Sequence, residues 1–286
     1  MPIPLRHIKN RILAIENTKK IMRALEMVSA AKLKRIETHL GLFQRYFKEL
    51  DRLLKNLLAD PQRTIPPLLR KRGSVKTFIL WIVASDTGLC GTYNHRLFEL
   101  ADDFISQYAL EAEIQLVLVG KKGMGHFKKM DLPVLKSYLE SYGRFSLELS
   151  QRISQDLQDL FFSSPEIQIF VAYTKFKSLM RWEPTIELLF EPPEPAGVAP
   201  VEYMIEPDWA KILPDLTYRY FLKRVQCILL EAFISEHTSR MISMRQAKDN
   251  AEELLSDLTL LKNKLRQAVI TTEITEIVSA VEALKG

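Results

Sequence analysis

Residues 5–58 read LRHIKNRILAIENTKKIMRALEMVSAAKLKRIETHLGLFQRYFKELDRLLKNLL, and their spacing decides the architecture. Alternating steps of three and four from Leu5 pass through Ile8, Ile12, Ile15, Lys19, Met22, Glu26, Ser29, Leu33, Ile36, Leu40, Phe43, Phe47, Leu50, Leu54 and Leu57. All but Lys19, Glu26 and Ser29 are apolar. A seam of this period, sustained over many turns, predicts a coiled-coil helix. About 50 helical residues would span roughly 75 Å, more than one compact domain, so part of the helix is expected to project. Pro61, Pro66 and Pro67 are expected to end it.

The C-terminal stretch repeats the pattern. Met244, Ala247, Ala251, Leu254, Leu258, Leu261, Leu265 and Ala268 form a second seam, which changes phase to Ile270, Ile274, Ile277, Val281 and Leu284. A phase change predicts a change of contacts. No proline or glycine interrupts 215–285. The two terminal helices are therefore expected to pair with each other, antiparallel, because the chain must reverse between them.

The middle has another texture. Val75–Ala84, Ile114–Val119, Ile167–Tyr173 and Thr185–Phe190 are short apolar, β-branched runs that predict strands. Asn94–Tyr108, Lys122–Lys129 and Ser146–Phe161 read as helices. This alternation predicts an α/β layer with a largely parallel sheet. Glu191–Pro200, with four prolines, reads as a loop. The expected domains are 1–60, an N-terminal coiled-coil helix; 61–207, the α/β domain with loops; and 208–286, a C-terminal coiled-coil helix.

Composition narrows the function. With 286 residues, 47% of them apolar, the chain can bury a real core. Two cysteines exclude a disulfide scaffold or a four-cysteine zinc site, and five dispersed histidines argue against a metal centre. The longest apolar run, near Phe78–Ala84, is far short of the roughly 20 residues of a membrane helix, and no secretory signal is visible at the start. A cytosolic or peripheral protein is expected. Charge is uneven: the first 35 residues carry nine Lys/Arg (Arg6, Lys9, Arg11, Lys19, Lys20, Arg23, Lys32, Lys34, Arg35) against Glu16 and Glu26. Such an arm fits an acidic protein surface, an anionic lipid or nucleic acid, and a charge run is most often a solvated helix face.

Two segments could carry chemistry. Ala84-Ser85-Asp86-Thr87-Gly88-Leu89-Cys90-Gly91-Thr92-Tyr93-Asn94 follows the first strand, and Gly120-Lys121-Lys122-Gly123-Met124-Gly125 the second. Glycines there could expose amides to a phosphate, but the Walker pattern is absent, and glycines after strands commonly serve turns. Asp86-Thr87-Gly88 occurs once, whereas aspartic-protease chemistry needs two carboxylates sharing a site. Cys90 has a nearby histidine in His95 but no spacing that ties them, so a small buried thiol is the better reading. Nothing assembles a catalytic constellation.

Three segments carry a family resemblance: Ile8-Lys9-Asn10-Arg11-Ile12 with Asn17–Leu33 (NTKKIMRALEMVSAAKL), Ser85–Gly91 (SDTGLCG), and Arg240-Met241 through Asp249-Asn250-Ala251 to Asn263–Thr271 (NKLRQAVIT), with Glu273 and Glu276-Ile277-Val278. Tyr173–Thr185 (YTKFKSLMRWEPT) resembles a further family segment. Together they resemble the gamma subunits of F-type ATP synthases over nearly the whole chain. Thr92, Lys262 and Ser279 depart from the family pattern, and the chloroplast form's regulatory cysteine pair is absent, so thiol control is not expected.

The resemblance implies an α/β fold class with a long antiparallel coiled coil of the N- and C-terminal helices and a central Rossmann-like α/β domain. It implies a central rotor shaft, one copy per complex, without a catalytic site, cofactor or metal of its own. Its partners would be the alpha and beta subunits of a hexamer, the epsilon subunit and the membrane c ring, with no nucleic acid. Membrane association would be indirect, at the cytoplasmic face of a bacterial inner membrane. Arg266, Gln267, Thr271 and Glu273 would contact a beta subunit, and Lys20, Arg23 and Lys32 an acidic lever on it. Leu25 and Arg240 would lie in the bearing region of the helix pair, and Tyr203 and Glu206 in the foot near the c ring and epsilon. The competing readings are a basic coiled-coil adaptor and an independent enzyme using the Asp86–Gly91 loop.

Overall fold

A computed structural model describes residues 5–58, 73, 75–190, 206 and 208–283. The loop expected at Glu191–Pro200 and the prolines at 61, 66 and 67 lie outside them. The chain forms two compact units, one of residues 1–28 and 241–286, the other of Ser29–Arg240. Two long helices contribute to both: α1 (Leu5–Leu58) and α5 (Trp209–Ala283).

In the first unit the helices run antiparallel. Lys19 Nζ pairs with Glu252 Oε1 at 2.9 Å, and Arg245 Nε with Glu26 Oε1 at 2.9 Å, so one heptad forward on α1 is one heptad back on α5. Every position of the expected α1 seam is buried or half-buried, the three polar ones included. Lys19 and Glu26 sit there because each meets an opposite charge. On α5 the seam departs from expectation. Leu254 and Leu261 are 50% and 39% exposed, while Leu255 and Lys262 take the half-buried places beside Ala251, Leu258 and Leu265. At about 100° per residue, Leu254 and Leu255 flank the Ala251–Leu258 line equally, and one heptad on Lys262 lies nearer to it than Leu261, so the α1 partner's position and not leucine content decides which flank is covered.

The second unit holds a five-stranded sheet of order β3-β2-β1-β4-β5. Its strands are β1 (Thr77–Val83), β2 (Glu113–Val119), β3 (Val134–Tyr138), β4 (Ile167–Ser178) and β5 (Arg181–Leu188). The first four in this order are parallel, and β5 is an antiparallel edge joined to β4 by a hairpin. Pro184 is tolerated on that edge, where a missing N–H costs little. The crossovers contain α2 (Tyr93–Tyr108), α3 (Lys121–Phe127) and α4 (Leu147–Ser163). β3 is the strand that sequence reading misses: five residues, with Lys136 and Ser137 exposed at the sheet edge.

Phe78, Leu80 and Ile82 of β1 share a core with Leu97, Ala101 and Phe104 of α2 and Phe127 of α3. Ile79, Trp81 and Val83 point the other way and are fully buried as well, as a central parallel strand covered on both faces requires. From Val225 to Arg240, α5 is buried all round. Gln44 of α1 bonds Glu231 of α5, Gln226 reaches Ser150 of α4, and Tyr93 Oη donates to the Ala232 carbonyl.

Candidate functional site

The strand order reverses at β1, and the crevice beyond the carboxyl ends of β1 and its neighbours is where open α/β sheets commonly hold ligands. Here the Ser85–Asn94 loop leaves β1 at that place, and its inward-facing polar side chains bond within the chain: Ser85 Oγ donates to the Thr87 carbonyl at 2.8 Å and Asn94 Nδ2 donates to Ser85 Oγ at 2.8 Å. Asp86 is 6% exposed. Its Oδ1 accepts the amides of Lys121 (3.0 Å) and Glu140 (2.9 Å), and its Oδ2 accepts the Tyr142 amide (2.7 Å) and the Ser141 hydroxyl (3.0 Å). Burial alone would raise its pKa, but these hydrogen bonds outweigh burial and hold it below the usual carboxylate value. The anion at the start of α3 is therefore the chain's own carboxylate. Glu140 and Tyr142 take positive φ values of 68° and 49° to wrap around it.

The second glycine-bearing segment serves close approach. Gly120 has φ +91°, and a Cβ there would stand 2.3 Å from the Ala84 carbonyl oxygen. Only a residue without a side chain passes β1 at that distance.

Arg240 of α5 closes the other side of the loop. Its Nε donates to the Gly88 carbonyl (3.2 Å), and its Nη2 to the Thr87 carbonyl (3.0 Å) and hydroxyl (3.1 Å). The same Nη2 lies 2.8 Å from buried Glu236 Oε1. Ser239 Oγ donates to the Cys90 carbonyl at 2.6 Å. The guanidinium fork suits paired carbonyl acceptors, and the carboxylate one turn back balances its charge. The Cys90 thiol is buried, with the Asn94 amide 3.3 Å away, and burial pushes its pKa up. That is the opposite of what a nucleophile needs.

In the first unit the charged arm is mostly open. Lys20 and Arg23 are exposed, and Leu25 is half-buried. The antiparallel register sets Leu5, the first helical residue of α1, opposite Arg266. From Arg266 to Val281 every residue of α5 is exposed, a length of roughly 25 Å. This stretch displays Val269, Ile270, Ile274, Ile277, Val278 and Val281 at 42–64% exposure. The phase change seen in the sequence coincides with the point beyond which no described residue covers α5.

Of the residues singled out by sequence, Arg266, Gln267, Thr271 and Glu273 thus share one exposed stretch. The Thr271 hydroxyl donates back to the Gln267 carbonyl at 2.9 Å. Lys32 belongs to the second unit, where its Nζ donates to the Tyr142 carbonyl at 3.0 Å. Arg240 is buried against the β1–α2 loop. Glu206 is exposed, and Tyr203 lies outside the described residues. Sequence reading passed over Glu236, His237, Ser239 and Gly143. For the three on α5 the signal was the run of six consecutive polar residues, Ser235–Arg240, within a long helix. Among the described residues no group of three or more His, Cys, Asp or Glu is placed to hold a metal ion, and no helix is long and apolar enough to cross a membrane.

The ATP synthase family model matches residues 4–284. The ATP synthase gamma chain of Geotalea uraniireducens is 35% identical over 287 residues, covering 99% of both chains, and that of Chlorobium chlorochromatii is 31% identical over 293 residues, again covering 99% of both. In fold, the chain resembles one in the rotor of the Euglena gracilis mitochondrial ATP synthase (TM-score 0.62, 13% identity, 93% of this chain and 98% of that one). It also resembles one in the central stalk and c-ring structure of the Tetrahymena thermophila enzyme (TM-score 0.58, 20% identity, 79% and 99%). By matched length, by identity and by the antiparallel helix pair joined through an α/β layer, the chain belongs to the ATP synthase gamma-chain family.

Proposed function

We propose that the chain is the central rotor shaft of an F-type ATP synthase, coupling ion-driven rotation of a membrane c ring to ATP synthesis or hydrolysis at beta subunits. One observation carries the reading beyond family membership: α5 outruns α1 and presents a lone, apolar, lightly charged helix end. An exposed apolar surface of this kind calls for a partner, and an apolar sleeve within an alpha–beta hexamer supplies one that makes few directional bonds and lets the shaft turn. The shaft itself consists of the paired helices of 1–60 and 208–286, and 61–207 forms the foot, with Tyr203 and Glu206 toward the c ring and epsilon.

The residues divide by task. Arg266, Gln267, Thr271 and Glu273 begin where intrachain pairing ends, and offer polar contacts to a beta subunit. Lys20 and Arg23 present cations to an acidic lever on beta, where attraction between exposed charges forms and releases easily. Lys32 stands at the edge of that basic surface, and Leu25 and Arg240 belong to the bearing region. The site is peripheral to the membrane, at the cytoplasmic face in a bacterial cell. ATP chemistry stays on the beta subunits, and this chain supplies the asymmetry that drives them through their states. With Asp86 held by four donors of the chain and the Cys90 thiol buried, the Asp86–Gly91 loop gives the independent-enzyme reading no support.

The test is reconstitution with alpha and beta subunits of the same organism. Co-elution at one copy per hexamer, and MgATP hydrolysis that depends on this chain, are the expected results. Well-folded partners that fail to associate would overturn the reading.

A further inference from the structure

His237 is 1% exposed and sits between two elements. Its Nε2 lies 2.9 Å from the Gly143 carbonyl oxygen, and its Nδ1 3.2 Å from Arg240 Nη1. A carbonyl can only accept and a guanidinium can only donate. The ring is therefore neutral, with its proton on Nε2 and its lone pair on Nδ1. Gly143 follows the two residues wrapped around Asp86, has φ +62°, and would place a Cβ 2.6 Å from His237 Nε2. The β3–α4 loop thus presses against the imidazole, while Arg240, the ring's other partner, holds the β1–α2 loop.

We propose that His237 is a positioning residue, an acid-opened latch whose neutral ring fastens both loops of the α/β layer to α5. The proposal rests on the rotor reading for its purpose: the foot must hold the shaft helix for torque to pass. A second proton on the ring would remove the acceptor that Arg240 Nη1 faces and put a cation among other cations.

The charged and titratable surroundings come from every packed element. Lys32 of α1 and Arg240 of α5 act on the ring directly; Asp86 and Cys90 of the β1–α2 loop and Tyr93 of α2 act on its neighbour Glu236, and Arg144 of the β3–α4 loop acts on Lys32. Burial, then Arg240 and Lys32, depress the His237 pKa to about 4 against the opposing bond to Gly143. A ring released to solvent returns to its ordinary value near 6.5. Acid therefore favours the open form, and the closed fraction begins to fall below about pH 6.5. Burial moves Glu236 upward, with Arg240 pulling it back, so its proton favours the closed form and acid acts on it in the opposite sense to His237.

The test is hydrogen exchange, corrected for intrinsic rates, at the Glu140 and Tyr142 amides that Asp86 holds. It uses the full chain alone and co-eluted with alpha and beta subunits, at pH 7.5 and pH 5. Wild type is expected to lose at least about tenfold in protection at pH 5. His237→Gln, whose amide can donate to Gly143 and accept from Arg240, keeps neutral-pH protection and loses the acid response. His237→Ala and Gly143→Ala reduce protection at both pH values. Wild-type protection in both Ala variants at pH 7.5, or an acid response in His237→Gln equal to that of wild type, would overturn the latch; the latter would assign the response to a group other than His237, and not to Glu236, whose protonation favours the closed form. Failure to co-elute would count against the rotor reading alone, because loop protection is read on the chain itself.

Discussion

The carboxylate of Asp86 accepts the backbone amide of Tyr142 at 2.7 Å across 56 residues of sequence, binding the end of β1 to the loop that follows β3. Three further donors converge on the same group. Asp86→Asn keeps the shape but replaces an ionised acceptor by a neutral amide that brings N–H groups toward donors. We expect a loss of about 3 kcal/mol, read as a shift of the urea midpoint at pH 7. Because the folded carboxyl is more acidic than the unfolded one, its contribution is fully present above the unfolded value of about 3.8 and is lost as pH falls through the lower folded value. The Asn variant should lack that component of acid sensitivity. A variant as stable as wild type at pH 7 would show that the loop is held by other contacts.

Gly120 and Gly125 belong to one glycine-bearing segment but have opposite prospects. An alanine at 120 would meet the Ala84 oxygen at 2.3 Å and the Ser85 oxygen at 2.7 Å, with backbone in a region that side chains rarely adopt. Gly120→Ala should cost about 4 kcal/mol or more, or prevent soluble expression. Gly125 is helical with nothing within 4 Å of the added carbon. Gly125→Ala should be neutral or gain up to about 1 kcal/mol. Paired thermal melts decide the matter; equal losses at both sites would contradict the assigned roles.

The same contrast explains what was legible beforehand. The α1 seam could be read because burial there follows a single period from Leu5 to Leu57, and polar Lys19 and Glu26 keep to it. The strands β1, β2 and β4 were plain because both of their faces are buried, which demands continuous apolar runs. β3 was hidden because an edge strand can carry Lys136 and Ser137. Leu254 and Leu261 misled because leucine at a flanking position looks like leucine in the seam when register alone decides between them. The Glu236–Arg240 cluster could not be assembled from sequence, since its partners are backbone carbonyls of two distant loops, and a carbonyl leaves no mark in composition.

Glu26 is the polar seam position with the most at stake. Its side chain is 15% exposed and meets both Arg245 and Lys248. The bond from Arg245 is the largest influence holding its pKa below the ordinary value, ahead of the opposing effect of burial. Glu26→Ala should lower stability by on the order of 1 kcal/mol at pH 7. The loss should shrink as pH falls below about 4.5 and through the lower folded value, because the wild-type carboxyl is then protonated. Lys19→Ala removes a pair that is largely in solvent, and the denaturation midpoint should not move. A midpoint shift for Lys19→Ala as large as that for Glu26→Ala would mean that exposure does not rank these pairs.

Ile274, Ile277 and Val281 lie where α5 has no neighbour among the described residues, at 56%, 64% and 46% exposure. Replacing all three by serine removes no packing among the described residues, so the urea midpoint of the isolated chain should change little. Helix propensity falls slightly, and the last turns should fray more. Within the proposed hexamer the same three side chains face an apolar sleeve, and their loss removes the surface that the sleeve covers. Weaker association with alpha and beta subunits is therefore expected, by about tenfold or more, measured as the concentration at which the complex dissociates. An unchanged fold with weakened assembly locates the function of this helix end in contact with other chains. Unchanged assembly would instead mean that the apolar stripe is dispensable and that Arg266 and Gln267 carry the hold on the hexamer, which their alanine variants would then reveal.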